Sequence, residues 1–254
     1  MTVISHRLNF VFIHIPKCGG TSVEIGWSRH QRWGDFVIGG SKEGEIIQAS
    51  FQKIYGIAKH TTALRMADAI GHGTFAAMRS MAIIRPPLEM VESEYRYGLS
   101  QWRDFLREYY LNHRNVPDAL FHFEREAREA LKEGFAPIIP PWWYHHNRGT
   151  IPAAILSDSF DEFLERVADD RWRNAISSYL TDAKGNIMVS DLFRLKEQAH
   201  IVDYMCHTIG LTGFEMPWEN RGLGVPLEWR PDLRRTYTEL CREDMERFGF
   251  EIDV

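Results

Sequence analysis

Cysteine is scarce in this chain. Cys18, Cys206 and Cys241 are the three among 254 residues, and no pair has the C-x-x-C spacing. That argues against a disulfide framework or a structural zinc site and fits a reducing compartment. Long apolar runs are missing as well: no stretch approaches the ~20 residues of a membrane span. The opening MTVISHRLNF lacks the charged, apolar and small-residue zones of a secretory leader. A cytoplasmic protein without a transmembrane segment is expected. Nor is there a basic excess. The formal net charge is -5, which speaks against a nucleic-acid partner bound over a broad surface, while a local basic pocket stays open. No repeat, low-complexity tract or linker stands out.

What is present is an ordinary globular composition, 44% hydrophobic and 26% charged. A single domain over 1–254, with helical and loop elaborations around 100–152, is the simplest reading. Leu8–Ile15, LNFVFIHI, predicts a buried parallel strand, and Thr21 begins a helix. Strand, glycine-bearing turn and helix open an α/β nucleotide-binding unit. Residues 60–71 read as a helix with a hydroxyl cap, 79–87 as a second strand ending at a double proline, and 88–113 and 117–135 as helices. Further on, 137–152 is a proline-bounded aromatic loop and 157–170 a capped helix. Two strand-like arms around a turn at Ala183–Asn186 fill 176–195, and 197–210 and 230–250 are helices. Residues 34–58, rich in glycine, carry no clear pattern.

The stretch FVFIHIPKCGGTS (10–22) holds the first candidate site. The Walker pattern places its lysine after the glycines, whereas Lys17 stands ahead of Gly19 and Gly20. A loop between a strand and a helix start still presents unbonded N–H groups and a favourable dipole to an anion, about 0.3–1 kcal/mol each at an exposed end. The glycines permit close backbone approach, Thr21 and Ser22 add hydroxyls, and Lys17 adds a mobile charge. A phosphate or sulfate group suits this set. Arg85, at a strand end, and Ser93, about two helical turns on, form a second phosphate-compatible pair. Histidine is the natural base near neutral pH, and the chain has eleven.

The string IHIPKCGGTS resembles the 5′-phosphosulfate loop of sulfotransferases that use 3′-phosphoadenosine 5′-phosphosulfate (PAPS). It is most similar to the family of heparan sulfate 2-O-sulfotransferase and its bacterial relatives, with Cys18 where threonine is common. The resemblance implies a P-loop NTPase-like three-layer α/β fold with a central, mostly parallel sheet flanked by helices. It implies that Lys17 contacts the phosphosulfate bridge, that Gly19, Gly20, Thr21 and Ser22 cradle the 5′-phosphate, and that Cys18 belongs to the same binding loop. Arg85, Pro87, Ser93 and Tyr95 fit the family's R-x-P-x-x-x-x-x-S-plus-aromatic element for the 3′-phosphate. The segment SSYLTDAKGNIMVSDLFRLKE, with Ser178, Tyr179 and Leu180, looks like the family's cover over the adenine and the 3′-phosphate side. YTELCREDMERFGF resembles its closing helix, ending D-x-x-x-F-G-[FY]. Two positions depart from the pattern: Ile176 stands for a glutamine and Lys196 for a glutamate, with Glu197 next to it.

KHTTALRM resembles the family's KH-x-T-A segment, which makes His60 the expected base. His14 is read as packing on the sheet or orienting the loop. Glu24 is a weaker base candidate, and His145 and His146 could touch an acceptor. The expected mechanism has Lys17 balancing charge on the leaving group while His60 deprotonates the acceptor, with adenosine 3′,5′-bisphosphate as product and no metal. The acceptor is a small molecule or carbohydrate bearing a hydroxyl or amine, and neither its identity nor the oligomeric state is legible. Trp142, Trp143 and Tyr144 suit a sugar ring or a packed core equally. The missing membrane anchor favours a bacterial over a Golgi enzyme. Two other readings stand beside this one: a nucleotide-dependent phosphotransferase, which would want a Walker lysine and a magnesium-binding aspartate, and a non-catalytic nucleotide-binding relic.

Overall fold

The computed structural model describes residues 2–39, 42–111, 126, 128–129, 132–133, 149–167, 170–217 and 227–252. The chain folds into two compact units that share its length by turns. The first comprises Met1–Met90, Arg173–Asn220 and Glu243–Glu251; the second comprises Val91–Trp172, Arg221–Arg242 and Ile252–Val254.

The first unit is α/β. Its five strands are β1 (Thr2–Ser5), β2 (Phe10–Ile13), β3 (Asp35–Ile38), β4 (Arg79–Ile84) and β5 (Asp191–Arg194), in the order β3-β1-β2-β4-β5. The sheet is mixed, a correction to the mostly parallel arrangement expected above: β1 runs antiparallel to both β2 and β3, while β2, β4 and β5 run parallel. The first strand is short and adjoins β2 through a hairpin, so it escapes a search for longer apolar runs. Its four residues are nonetheless all buried. The hairpin and the start of β3 share one carboxylate. Asp35 accepts from the Ser5 hydroxyl (2.5 Å), the Arg7 guanidinium (3.2 Å) and the Arg32 amide (3.0 Å).

Phe10–Ile13 is apolar at every position because both faces are covered. On one face Trp27 of α1 (Gly20–Ser28) stacks flat on Phe10, with ring centroids 5.2 Å apart. Next along the chain come α2 (Lys42–Tyr55), α3 (Ala63–Ile70) and α4 (His72–Ala77). Thr62 caps α3 by accepting from the Arg65 amide, as its sequence predicts. Helix α2 arises where no pattern was legible; several of its apolar side chains, Ile46, Ile54 and Tyr55 among them, are exposed.

Helix α5 (Pro87–Leu111) starts after β4 and passes into the second unit, which also contains α6 (Thr150–Leu156) and α7 (Phe160–Val167). Ser159 caps α7 through the Glu162 amide. The core of this unit is aromatic: Tyr95, Phe160, Phe163, Trp229 and Tyr237 meet at centroid distances of 5.0–6.2 Å. Arg128 and Lys132 are engaged structurally there. Arg128 donates to the carbonyls of Ile155 and Ser157, and Lys132 pairs with Asp158.

Back in the first unit, Ser177–Leu180 forms α8, a single helical turn, where the first strand-like arm was expected; the second arm contains β5, and Thr181 and Ile187 form an isolated bridge between the two. Helix α9 (Gln198–Asp203) continues as a π-turn over Tyr204–Thr208 and stops before Gly210, as expected. Helix α10 (Pro231–Arg247) closes the chain. Among the described residues no helix is long and apolar enough to cross a membrane. The aromatic loop residues 137–148 and the stretch 112–125 lie outside the described residues.

Candidate functional site

Strands β2, β4 and β5 are parallel neighbours, so the segments that follow them emerge side by side. These are His14–Gly19, Arg85–Pro86 and Leu195–Glu197. The crevice beyond the carboxyl ends of parallel strands is the usual ligand position in α/β sheets.

Lys17 is half-buried and takes φ +62°, a left-handed conformation that costs a non-glycine residue about 1–3 kcal/mol. Gly19, at φ +75°, occupies the N-cap of α1 and offers no side chain to cap it. The N-cap residue therefore supplies no side-chain oxygen to the amides of the first turn, an arrangement that suits an anion. The Ser22 amide is already used, donating to the Gly19 carbonyl at 3.1 Å. The Cys18 thiol faces inward. It is 1% exposed and lies close to Arg85. Burial pushes it up to about 12, against the opposing pull of the Arg85 charge and amide, so it is a neutral thiol. Cys18 thus lies where the lysine loop meets the arginine loop.

Gly19 is favoured by its positive φ, and Gly20 is required by a contact that sequence reasoning did not find. A Cβ on Gly19 would lie 2.4 Å from the Leu195 side chain, and one on Gly20 would lie 2.3 Å from His14 Cδ2. Gly20 is expected for approach to an anion, and the structure shows a second demand on it, the imidazole packed beneath. Gly20→Ala should destabilise the protein by about 1–3 kcal/mol through overpacking. Thermal unfolding reads that loss, and any anion-dependent stabilisation should be lost with it.

Arg85 donates from Nε to Glu89 at 2.9 Å, one turn into α5. An incoming anion would share the guanidinium with this half-exposed acid. Ser93 is on α5 within the second unit. Tyr179, half-buried on α8, lies near Cys18, and burial is the first cause of its raised pKa. Ser178 is exposed, and Leu180 is fully buried in the core.

Helix α8 is held by a residue that chemical motif reading passes over. Asp244 of α10, 0% exposed, accepts from the amides of Ile176 (2.6 Å) and Ser177 (3.1 Å) and from the Ser177 hydroxyl. The closing D-x-x-x-F-G-F string was its signal. Five residues on, Gly249 at φ +63° turns the chain so that its carbonyl and that of Phe248 accept from Arg194 at 2.7 and 3.0 Å. Arg194 lies over the Phe250 ring, 4.8 Å from its centroid.

His60 stands beside the lysine loop. Its Nδ1 is 3.1 Å from the His14 carbonyl oxygen. A carbonyl can only accept, so His60 Nδ1 carries the proton and Nε2 the lone pair. His60 is exposed as a residue, while its ring packs edge-on against the His14 ring and is to that extent taken out of water. That desolvation, followed by the neighbouring His14, holds the imidazole well below its usual pKa and therefore neutral at pH 7. His14 itself hydrogen-bonds through Nδ1 to Glu24 of α1 at 2.5 Å, in a buried environment. His145 and His146 lie outside the described residues.

The chain matches no protein-family model, no curated protein and no solved structure.

Proposed function

We propose that the protein is a PAPS-dependent sulfotransferase of P-loop NTPase-like fold, moving a sulfonate group to a hydroxyl or amine of an acceptor. The observation that carries this reading is the neutral His60, its Nδ1 proton committed to the carbonyl of His14, three residues before Lys17. A base with a free lone pair beside an anion loop is what transfer to a neutral nucleophile requires. The Lys17 loop and Arg85, which meet at Cys18, supply cationic and amide groups for a nucleotide with phosphate at both ends of its ribose.

In this reading His60 Nε2 takes the acceptor proton as the acceptor oxygen or nitrogen bonds to sulfur. The bond from sulfur to the bridging oxygen breaks, and Lys17 balances the charge left on that oxygen. Before any anion arrives His60 is a weak base. Negative charge bound at the loop would favour its protonated form and strengthen it.

Adenosine 3′,5′-bisphosphate should stabilise the protein selectively. At about a hundredfold excess over Kd the gain is about 2.7 kcal/mol, or a rise in Tm of about 5–10 °C for a chain of this size. Equal or greater stabilisation by ATP at the same concentration would overturn the reading in favour of a phosphotransferase.

A further inference from the structure

Glu24 and His14 are poorly explained by stability alone. Both are buried, at 0% and 3% exposure, and a carboxyl–imidazole pair taken out of water gains little over apolar side chains of similar volume. The pair sits between the anion loop and the base. The His14 ring lies under Gly20, and the His60 ring meets it edge-on with centroids 4.5 Å apart at 67°. Gly20 and Glu24 are one turn apart on α1, so that single helix touches the His14 ring at two points. The carbonyl of the same residue takes the His60 Nδ1 proton.

We propose that Glu24 and His14 are positioning residues for His60: Glu24 clamps the His14 ring against Gly20, and the clamped residue presents its carbonyl so that His60 is held with its proton on Nδ1 and its lone pair on Nε2. The anion loop and the base are then set by one helix, and a displacement at the start of α1 is transmitted to His60 through a single residue. Burial pushes Glu24 up to about 8, consistent with a carboxylic acid whose proton is shared with His14 Nδ1 at neutral pH. The consequence for turnover rests on the sulfotransferase reading, whereas the effect on the His60 tautomer does not.

The test uses the full chain with ¹⁵N-labelled histidine. Long-range ¹H–¹⁵N spectra at pH 7 should show His60 neutral and protonated on Nδ1. In Glu24→Ala that signal should give way to a tautomer mixture, and sulfonate transfer from PAPS should fall about 10–100-fold, short of the full loss of a general base. KM for PAPS should change far less. Glu24→Gln, which can still hydrogen-bond His14, should restore most of both. If Glu24→Ala fails to fold, Glu24→Met fills the same space without the hydrogen bond and takes its place. A wild-type His60 protonated on Nε2 or doubly protonated overturns the proposal, and so does an unchanged His60 signal in the variant. If the tautomer shifts as expected but PAPS supports no transfer, the sulfotransferase reading fails and the positioning role stands.

Discussion

In the sulfotransferase proposed above, His60→Ala should lower sulfonate transfer from PAPS by about 10²–10⁴-fold, the usual loss for a positioned general base. Stabilisation by adenosine 3′,5′-bisphosphate should persist, because the Lys17 loop and Arg85 are untouched. A variant that kept near wild-type turnover would require a different base. At PAPS concentrations well below KM, where the rate reports the free protein, the wild-type rate should also lack the acid limb of an ordinary histidine. The His60 pKa is depressed below its usual 6.5, first by burial, so the base form survives as pH falls through that value. The same shift has a stability consequence of fixed sign. Below about pH 6.5 the unfolded chain takes up a proton that folded His60 refuses, so the folded state loses stability as pH falls. His60→Ala should remove that component. Glu24 acts in the opposite direction: raised from 4.5 to about 8 by burial, it favours the folded state at low pH and loses that contribution as pH rises through about 8. Urea titrations of the two variants across pH 5–8 should therefore diverge with opposite slopes.

Asp244→Ala should destabilise the protein by about 3–5 kcal/mol, because three buried donors lose their acceptor and each costs about 1–3 kcal/mol when unsatisfied. Two backbone amides and a hydroxyl lose their common acceptor in a place without water access. For a chain of this size that is a fall in Tm of about 6–20 °C. Asp244→Asn keeps the shape and one acceptor oxygen but turns an N–H₂ group toward donors, so it should recover only part of the loss. In both variants the bisphosphate should stabilise less, since α8 carries Tyr179 to the side of Cys18. A Tm within 2–3 °C of wild type for Asp244→Ala, less than about 1 kcal/mol, would mean that the three hydrogen bonds are not jointly worth what their burial implies.

How far each element was legible depended on whether its determinants are local. Strands β2 and β4, with continuous apolar runs, and α3, with Thr62 before it and Gly71 after it, were read correctly. So were α7, α9 and α10, apart from shifts at their ends. Strand β1 was missed because four residues are too few to show a period. Helix α8 was read as a strand because Ile176, Tyr179 and Thr181 have β-prone side chains, yet Asp244 captures the amides at the start of the turn and holds it helical. The direction of the sheet was misjudged because β1 was not seen, and with it the antiparallel half of the sheet.

The site divides in the same way. By itself the sequence determined the candidate anion loop, Lys17 to Ser22, and its place between a strand and a helix, because backbone geometry there follows from the residues in line. It also named His60, Arg85 and Tyr179 as candidates. Only the tertiary structure decided what these residues do to one another. The parallel pairing of β2 with β4 sets Cys18 against Arg85, the Gly20 backbone lies on the His14 ring, and the His14 carbonyl selects the His60 tautomer. Each of these joins residues distant in the chain or packed across it. Hydrogen bonds and ring contacts depend on distances of a few ångströms, and residue order does not encode such distances until the sheet has brought its strands together.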